Sequence, residues 1–135
     1  MTGDDDTIAD RNRRRALLAA QANPAPWHDY GVRWTGTLAD GTRLAVDFVP
    51  DRLVLVPDSF AAFLAALETG SWPGLEALVL AVLDDFNNEL VPRWVQVAAW
   101  RQTGRANQLA SADDRQPDWD NPALLARLEA VPAER

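Results

Sequence analysis

The stretch Trp72–Trp100, WPGLEALVLAVLDDFNNELVPRWVQVAAW, decides how the rest of the chain is read. Pro73 suits a first helical turn, where a missing N–H costs nothing, and Ser71 just before it is placed to cap. Leu75, Leu78, Val79, Val82, Leu83, Phe86 and Leu90 recur at spacings of three and four, which gathers them on one helix face and makes it a core face. Asp84, Asp85, Asn88 and Glu89 fall on or near the opposite side. Pro92 then stops the helix, because the residue before a proline is pushed out of the helical region. Trp94, Val95, Val97 and Trp100 are the bulky and β-branched residues of a strand. One polar residue interrupts the helix start. Glu76 lies in the first turn beside a tryptophan and a leucine, where its carboxylate can point out of the helix beginning into a pocket.

Upstream, two strand-like runs, 32–38 and 43–49, flank Ala39-Asp40-Gly41-Thr42, and Asp-Gly between such runs is a strong hairpin signal. Residues 53–56 continue extended to Pro57. Asp58 or Ser59 then caps a short helix with Phe60, Phe63, Leu64 and Leu67 as its apolar stripe and Gly70 as its stop. Further back, 7–21 reads as a helix anchored by Ile8, Leu17 and Leu18 and ended by Asn23-Pro24-Ala25-Pro26. Downstream of Trp100, residues 108–111 form a weak fourth strand, and 119–131 a last helix capped by Asp120 or Asn121 with Pro122 in its first turn. The order strand, strand, helix, helix, strand, strand predicts an α+β fold, an antiparallel sheet with two helices on one face plus N- and C-terminal helices. The expected division is an arm and helix over 1–25, the sheet domain over 26–112, and a C-terminal helix and tail over 113–135.

Composition removes several chemistries. The chain has 135 residues, enough for one domain with a real core. It contains no cysteine, so thiol nucleophiles, thiolate metal sites and disulfides are excluded, and no lysine, which excludes Schiff-base chemistry on a lysine amine. A net charge of −7 argues against nucleic-acid partners. The one basic cluster, Arg11, Arg13, Arg14 and Arg15, follows Asp4, Asp5, Asp6 and Asp10, and reads as a solvated, self-neutralising arm. The start MTGDDD lacks the apolar core of a signal peptide, and no apolar run nears the ~20 residues of a membrane span, so a cytoplasmic location without membrane contact is expected.

The segments LAVDFVPDRLVLVPDSFAAFL (44–64) and LDDFNNELVPRWVQV (83–97), with Glu76 between them, resemble the tunnelling-fold enzymes, and in particular the NADPH-dependent 7-cyano-7-deazaguanine reductases of queuosine biosynthesis. The resemblance covers roughly 32–105 and rests on the order and spacing of Asp47-Phe48-Val49-Pro50-Asp51, the Ser59 helix start and Pro92-Arg93-Trp94. It implies homo-oligomeric rings of such sheets that hold a planar purine-, deazapurine- or pterin-like ring, with Glu76 as the anchor. A carboxylate suits that role because it accepts two parallel N–H bonds from a guanine-type edge.

The departures are as informative. The position of the family's cysteine nucleophile holds Arg33, that of the histidine before the anchoring glutamate holds Leu75, and of the residues that help hold the nicotinamide only Ser59 is kept. Asp40 stands where the catalytic aspartate would align, but the Asp-Gly turn explains it without catalysis. Thiol-dependent nitrile reduction is therefore not expected. The resemblance leaves Glu76, Trp72, Ser59 and Phe60 as ligand-binding candidates, and Asp40 and the lone His28 as catalytic ones. No metal or cofactor is expected, NADPH entering only if the family activity is retained. Each has a plain structural reading as well: Glu76 as a first-turn glutamate favoured by the helix dipole, the tryptophans as core or interface anchors, His28 as an ordinary loop residue. Two other functions compete, a non-catalytic subunit of a tunnelling-fold assembly, with a second such subunit as partner, and a queuosine-type reductase with an altered mechanism.

Overall fold

The computed structural model describes residues 6–130. Four strands form the main antiparallel sheet. In chain order the elements are α1 (Ile8–Ala16), β1 (Ala20–Ala22), β2 (Val32–Thr37), β3 (Arg43–Val49), β4 (Leu53–Leu55), α2 (Ser59–Thr69), α3 (Leu75–Leu90), β5 (Trp94–Thr103), β6 (Ala106–Arg115) and α4 (Pro122–Ala130). The sheet runs β2-β3-β5-β6, while β1 and β4 make a separate two-stranded antiparallel ribbon. This is the expected α+β architecture with its strand, strand, helix, helix, strand, strand order.

Strand alternation assigns the two faces of the sheet. Leu44, Val46 and Phe48 of β3, with Val95, Val97 and Ala99 of β5, bury against Phe60, Phe63 and Leu67 of α2 and against Leu75, Leu78, Val79, Val82, Phe86 and Leu90 of α3. The apolar spacing of α3 therefore does what it promised. Phe86 is its centre, with ring centroids 5.7–6.4 Å from those of Phe48, Phe60 and Phe63. On the other face α4 lies over one end of the sheet, where Leu124 packs with Val49 and Trp94 and with the partly buried Trp119, Leu125 and Leu128. Beyond α4 the sheet register aligns Arg33, Asp47, Gln96 and Asp113 in one cross-strand row. Arg33 and Asp47 pair in it through two bonds of 2.5 and 3.1 Å.

Two loops hold strand pairs by their glycines. Gly104 takes φ +60° at the first central position of the two-residue loop that joins Thr103 to its partner Ala106, a place where only glycine is unstrained. Gly41 takes φ +91° in the β2–β3 loop, so the Asp-Gly hairpin exists, with a loop of 38–42 that takes in Leu38 beyond the expected 39–42.

Several boundaries differ from the sequence reading. Helix α3 starts at Leu75 rather than at Pro73, its N-cap is Gly74, and no side chain caps it, so Ser71 does not. Helix α2 has Asp58 at its N-cap without a side-chain bond, and the Ser59 hydroxyl donates to Val56 O at 2.9 Å instead. Helix α1 ends at Ala16, and Ala20–Ala22 is a strand paired with Leu53–Leu55. The short run lacks alternation, so only its partner strand defines it. β6 runs ten residues, well past 108–111, because pairing along the whole of β5 supplies what its polar sequence does not. Helix α4 begins at Pro122, Asn121 accepts from Leu124 N at 3.1 Å as its cap, and the end expected at 131 lies outside the described residues.

The largest correction concerns charge. Asp85, placed on the solvent side of α3 by periodicity, is fully buried, and Arg14, read as part of a solvated arm, is 3% exposed. Arg14 forks between them: Nε and Nη2 donate to Asp85, and Nη1 and Nη2 to Asp6 at 2.8 and 3.0 Å. Arg15 Nε adds a bond of 2.8 Å to Asp85. Helix α1 thus docks on α2 and α3, through an ion network and Leu18 rather than through Ile8 or Leu17, which are 67% and 39% exposed.

Candidate functional site

Glu76 is the predicted residue that the structure leaves available. It occupies the first turn of α3 on an exposed side. With no side-chain cap at Gly74, the helix N–H groups there face outward, and the carboxylate folds back toward them: a β-carbon added at Gly74 would meet Glu76 Oε1 at 2.8 Å. Its other oxygen, Oε2, accepts from Gln108 Nε2 at 3.4 Å. Gln108 belongs to β6, an edge strand of the sheet. The anchor candidate therefore stands between a helix start and an edge strand, and its one side-chain partner among the described residues is held by a long, exposed bond. An incoming pair of N–H donors displaces little.

The other predicted residues do not gather around it. Trp72 is half-buried; its indole N–H donates to Leu67 O at 3.1 Å, and the Arg14 guanidinium sits over the ring at 5.4 Å. Two clefts meet at this ring, and Glu76 lines neither. Phe60 is 3% exposed and packed between Trp34, Phe63 and Phe86, so it has no free face to stack on a ligand. Ser59 is buried, with its hydroxyl spent on the helix entry. Phe60 belongs to an apolar stripe that cannot by itself tell a ligand wall from core, and Ser59 is a candidate only through the resemblance.

Asp40 caps its own turn, accepting from Thr42 N at 2.9 Å, with Arg101 at 3.8 Å. That backbone bond, with a lesser contribution from Arg101, holds its pKa below the usual carboxylate value. His28 is exposed in the loop before β2 with Trp27 beside it. Asp84, Asp85, Asn87, Asn88 and Glu89 do not converge either. Asp85 turns in to the arginines, Asn87 donates to Asp114 at 2.9 Å, and Asn88 to Glu89 at 2.5 Å. Among the described residues no three of His, Asp and Glu are grouped to hold a metal ion.

Arg93 is a loop clasp. Its guanidinium donates to the carbonyls of Pro26, His28 and Pro50 at 2.6, 3.0 and 3.1 Å and pairs with Asp29 and Asp51. Asp29 in turn accepts from Trp119 Nε1 and Asn121 Nδ2 at 3.1 and 2.9 Å, which ties the loop to the start of α4. Arg33 is engaged with Asp47.

No family model matches this chain, and no curated protein matches its sequence. Among solved structures it is similar to one titled "Crystal structure of the archaeosine synthase QueF-Like in the apo form", at 14% identity and a TM-score of 0.48, over 72% of this chain and 92% of that one. The likeness assigns no residue here. No helix among the described residues is long and apolar enough to cross a membrane.

Proposed function

We propose that this chain is a subunit of a tunnelling-fold type assembly that binds a planar purine-, deazapurine- or pterin-like ring through Glu76 and carries out no thiol-dependent nitrile reduction. The observation that carries the reading is the exposed carboxylate of Glu76, folded against an uncapped helix start beside an edge strand. Both oxygens of such a carboxylate can accept from one amidine-like edge. The absence of cysteine rules out the thioimide route whatever else binds.

A second reading, a non-catalytic subunit, draws on the loss of Phe60 and Ser59 to the core and on the covered face of Trp72. A thermal-shift titration separates them. Guanine, 7-deazaguanine or a pterin at about 100 times its dissociation constant should add about 2.7 kcal/mol to wild type, a rise of several degrees. Glu76→Gln, exposed and outside the core, should melt like wild type and lose that rise. No shift with any of the three rings leaves Glu76 as a helix-start residue and favours the non-catalytic subunit.

A further inference from the structure

A cleft separate from Glu76 lies between α1 and α3. It is about 270 Å³ in volume, near the small end of ligand-binding clefts, and its walls are chemically divided. Trp72, Pro73, Ala77, Leu80 and Ala81 supply an apolar side. Leu80 is 52% exposed, a large side chain that the core leaves uncovered. Arg11, Arg14 and Arg15 supply the opposite, cationic side.

The three arginines are not equivalent. Arg14 and Arg15 are committed to Asp6 and Asp85. Arg11 is not: its Nε is enclosed and has no hydrogen-bond partner among the described residues. The Nε is closed off from the cleft, but the Nη nitrogens of this partly exposed side chain are not, and no carboxylate among the described residues pairs with them. Asp6, which also lines the cleft, is already taken by Arg14. Asp84 is exposed at the rim, where water screens its charge.

We infer that the α1–α3 cleft is a binding site for a small amphipathic anion, a carboxylate or phosphate group held by Arg11 with an apolar or aromatic body lying along Trp72 and Leu80. The head group pairs with the Arg11 guanidinium through its Nη nitrogens, in a charge-assisted bond. The body covers the apolar surface that α3 presents to water. Asp84 opposes the anion weakly, which gives the site a sign that can be tested.

The probes are phenyl phosphate and benzoate, with inorganic phosphate as the head group alone, titrated into the full chain and followed by the Trp72 indole N–H signal in NMR and by calorimetry. Phenyl phosphate, benzoate or both should bind, more tightly than inorganic phosphate, and the tighter of the two names the head group. Arg11→Gln and Arg11→Lys should each weaken binding roughly tenfold, because both remove the guanidinium fork while the helix and its melting temperature stay unchanged. Leu80→Ser should weaken it, and Asp84→Asn should tighten it. The inference is overturned if neither aromatic anion binds, if the Arg11 variants bind like wild type, or if inorganic phosphate binds as well as phenyl phosphate. Loss of binding in Glu76→Gln would also overturn it, since that residue lies outside the cleft.

Discussion

Arg14 and Asp85 are the residues on which the N-terminal helix depends. Burial works to lower the Arg14 pKa, but the carboxylates of Asp6 and Asp85 more than reverse this and raise it, so the arginine stays charged inside the protein. A buried pair is weak as a source of stability and severe when broken, since one charge is left without a partner. Arg14→Met should therefore cost about 3–5 kcal/mol and lower the melting temperature by roughly 10 °C or more. Replacing both partners, Arg14→Met with Asp85→Leu, should recover part of the loss, because the fully buried charge is then gone, while Arg15 and Asp6, which each lose a partner, are partly exposed to water. A calorimetric scan of the two variants decides it: a single variant that melts within two or three degrees of wild type would mean the network is solvated.

At the scale of elements, the junction between α3 and β5 stores strain. Val91 takes φ +46° and ψ +56°, the left-handed conformation, although its side chain is β-branched and 57% exposed. Its N–H closes the helix on Asn87 O at 3.1 Å, and Pro92 then prevents continuation. Glycine is at ease in this conformation and valine is not, while little buried surface depends on the valine. Val91→Gly should raise stability by about 1 kcal/mol, even after the greater freedom it gives the unfolded chain. A rise of about 3–5 °C in the unfolding midpoint would confirm this, whereas a fall would mean that the exposed valine is covered in solution.

For the whole molecule the open question is what meets the sheet edges. β2 and β6 are the outer strands, and β6 presents ten residues of edge, without lysine or proline to discourage pairing. Unpaired edges of that length are templates for another chain. The expected result of light scattering is a species at a multiple of the 14.9 kDa chain mass. A clean 14.9 kDa particle would remove the assembly from the proposed function and leave Glu76 with only the surroundings its own chain supplies.

What the sequence determined by itself was local or periodic. The apolar spacing from Leu75 to Leu90, the Asp-Gly turn, Pro92 and the missing cysteine each act within a few residues or by composition alone. They sufficed for the α+β order and for excluding thiol chemistry. Tertiary structure decided the rest, because the deciding partners lie far apart along the chain. Asp85 is buried only because Arg14 comes from 71 positions away, and Arg93 is a clasp only because residues 26–29 fold across it. β6 is long because β5 pairs it, and Phe60 is core because α3 closes over it. The same long-range packing left Glu76 at the surface and assembled a cleft around Arg11, neither of which a charge pattern read residue by residue could resolve.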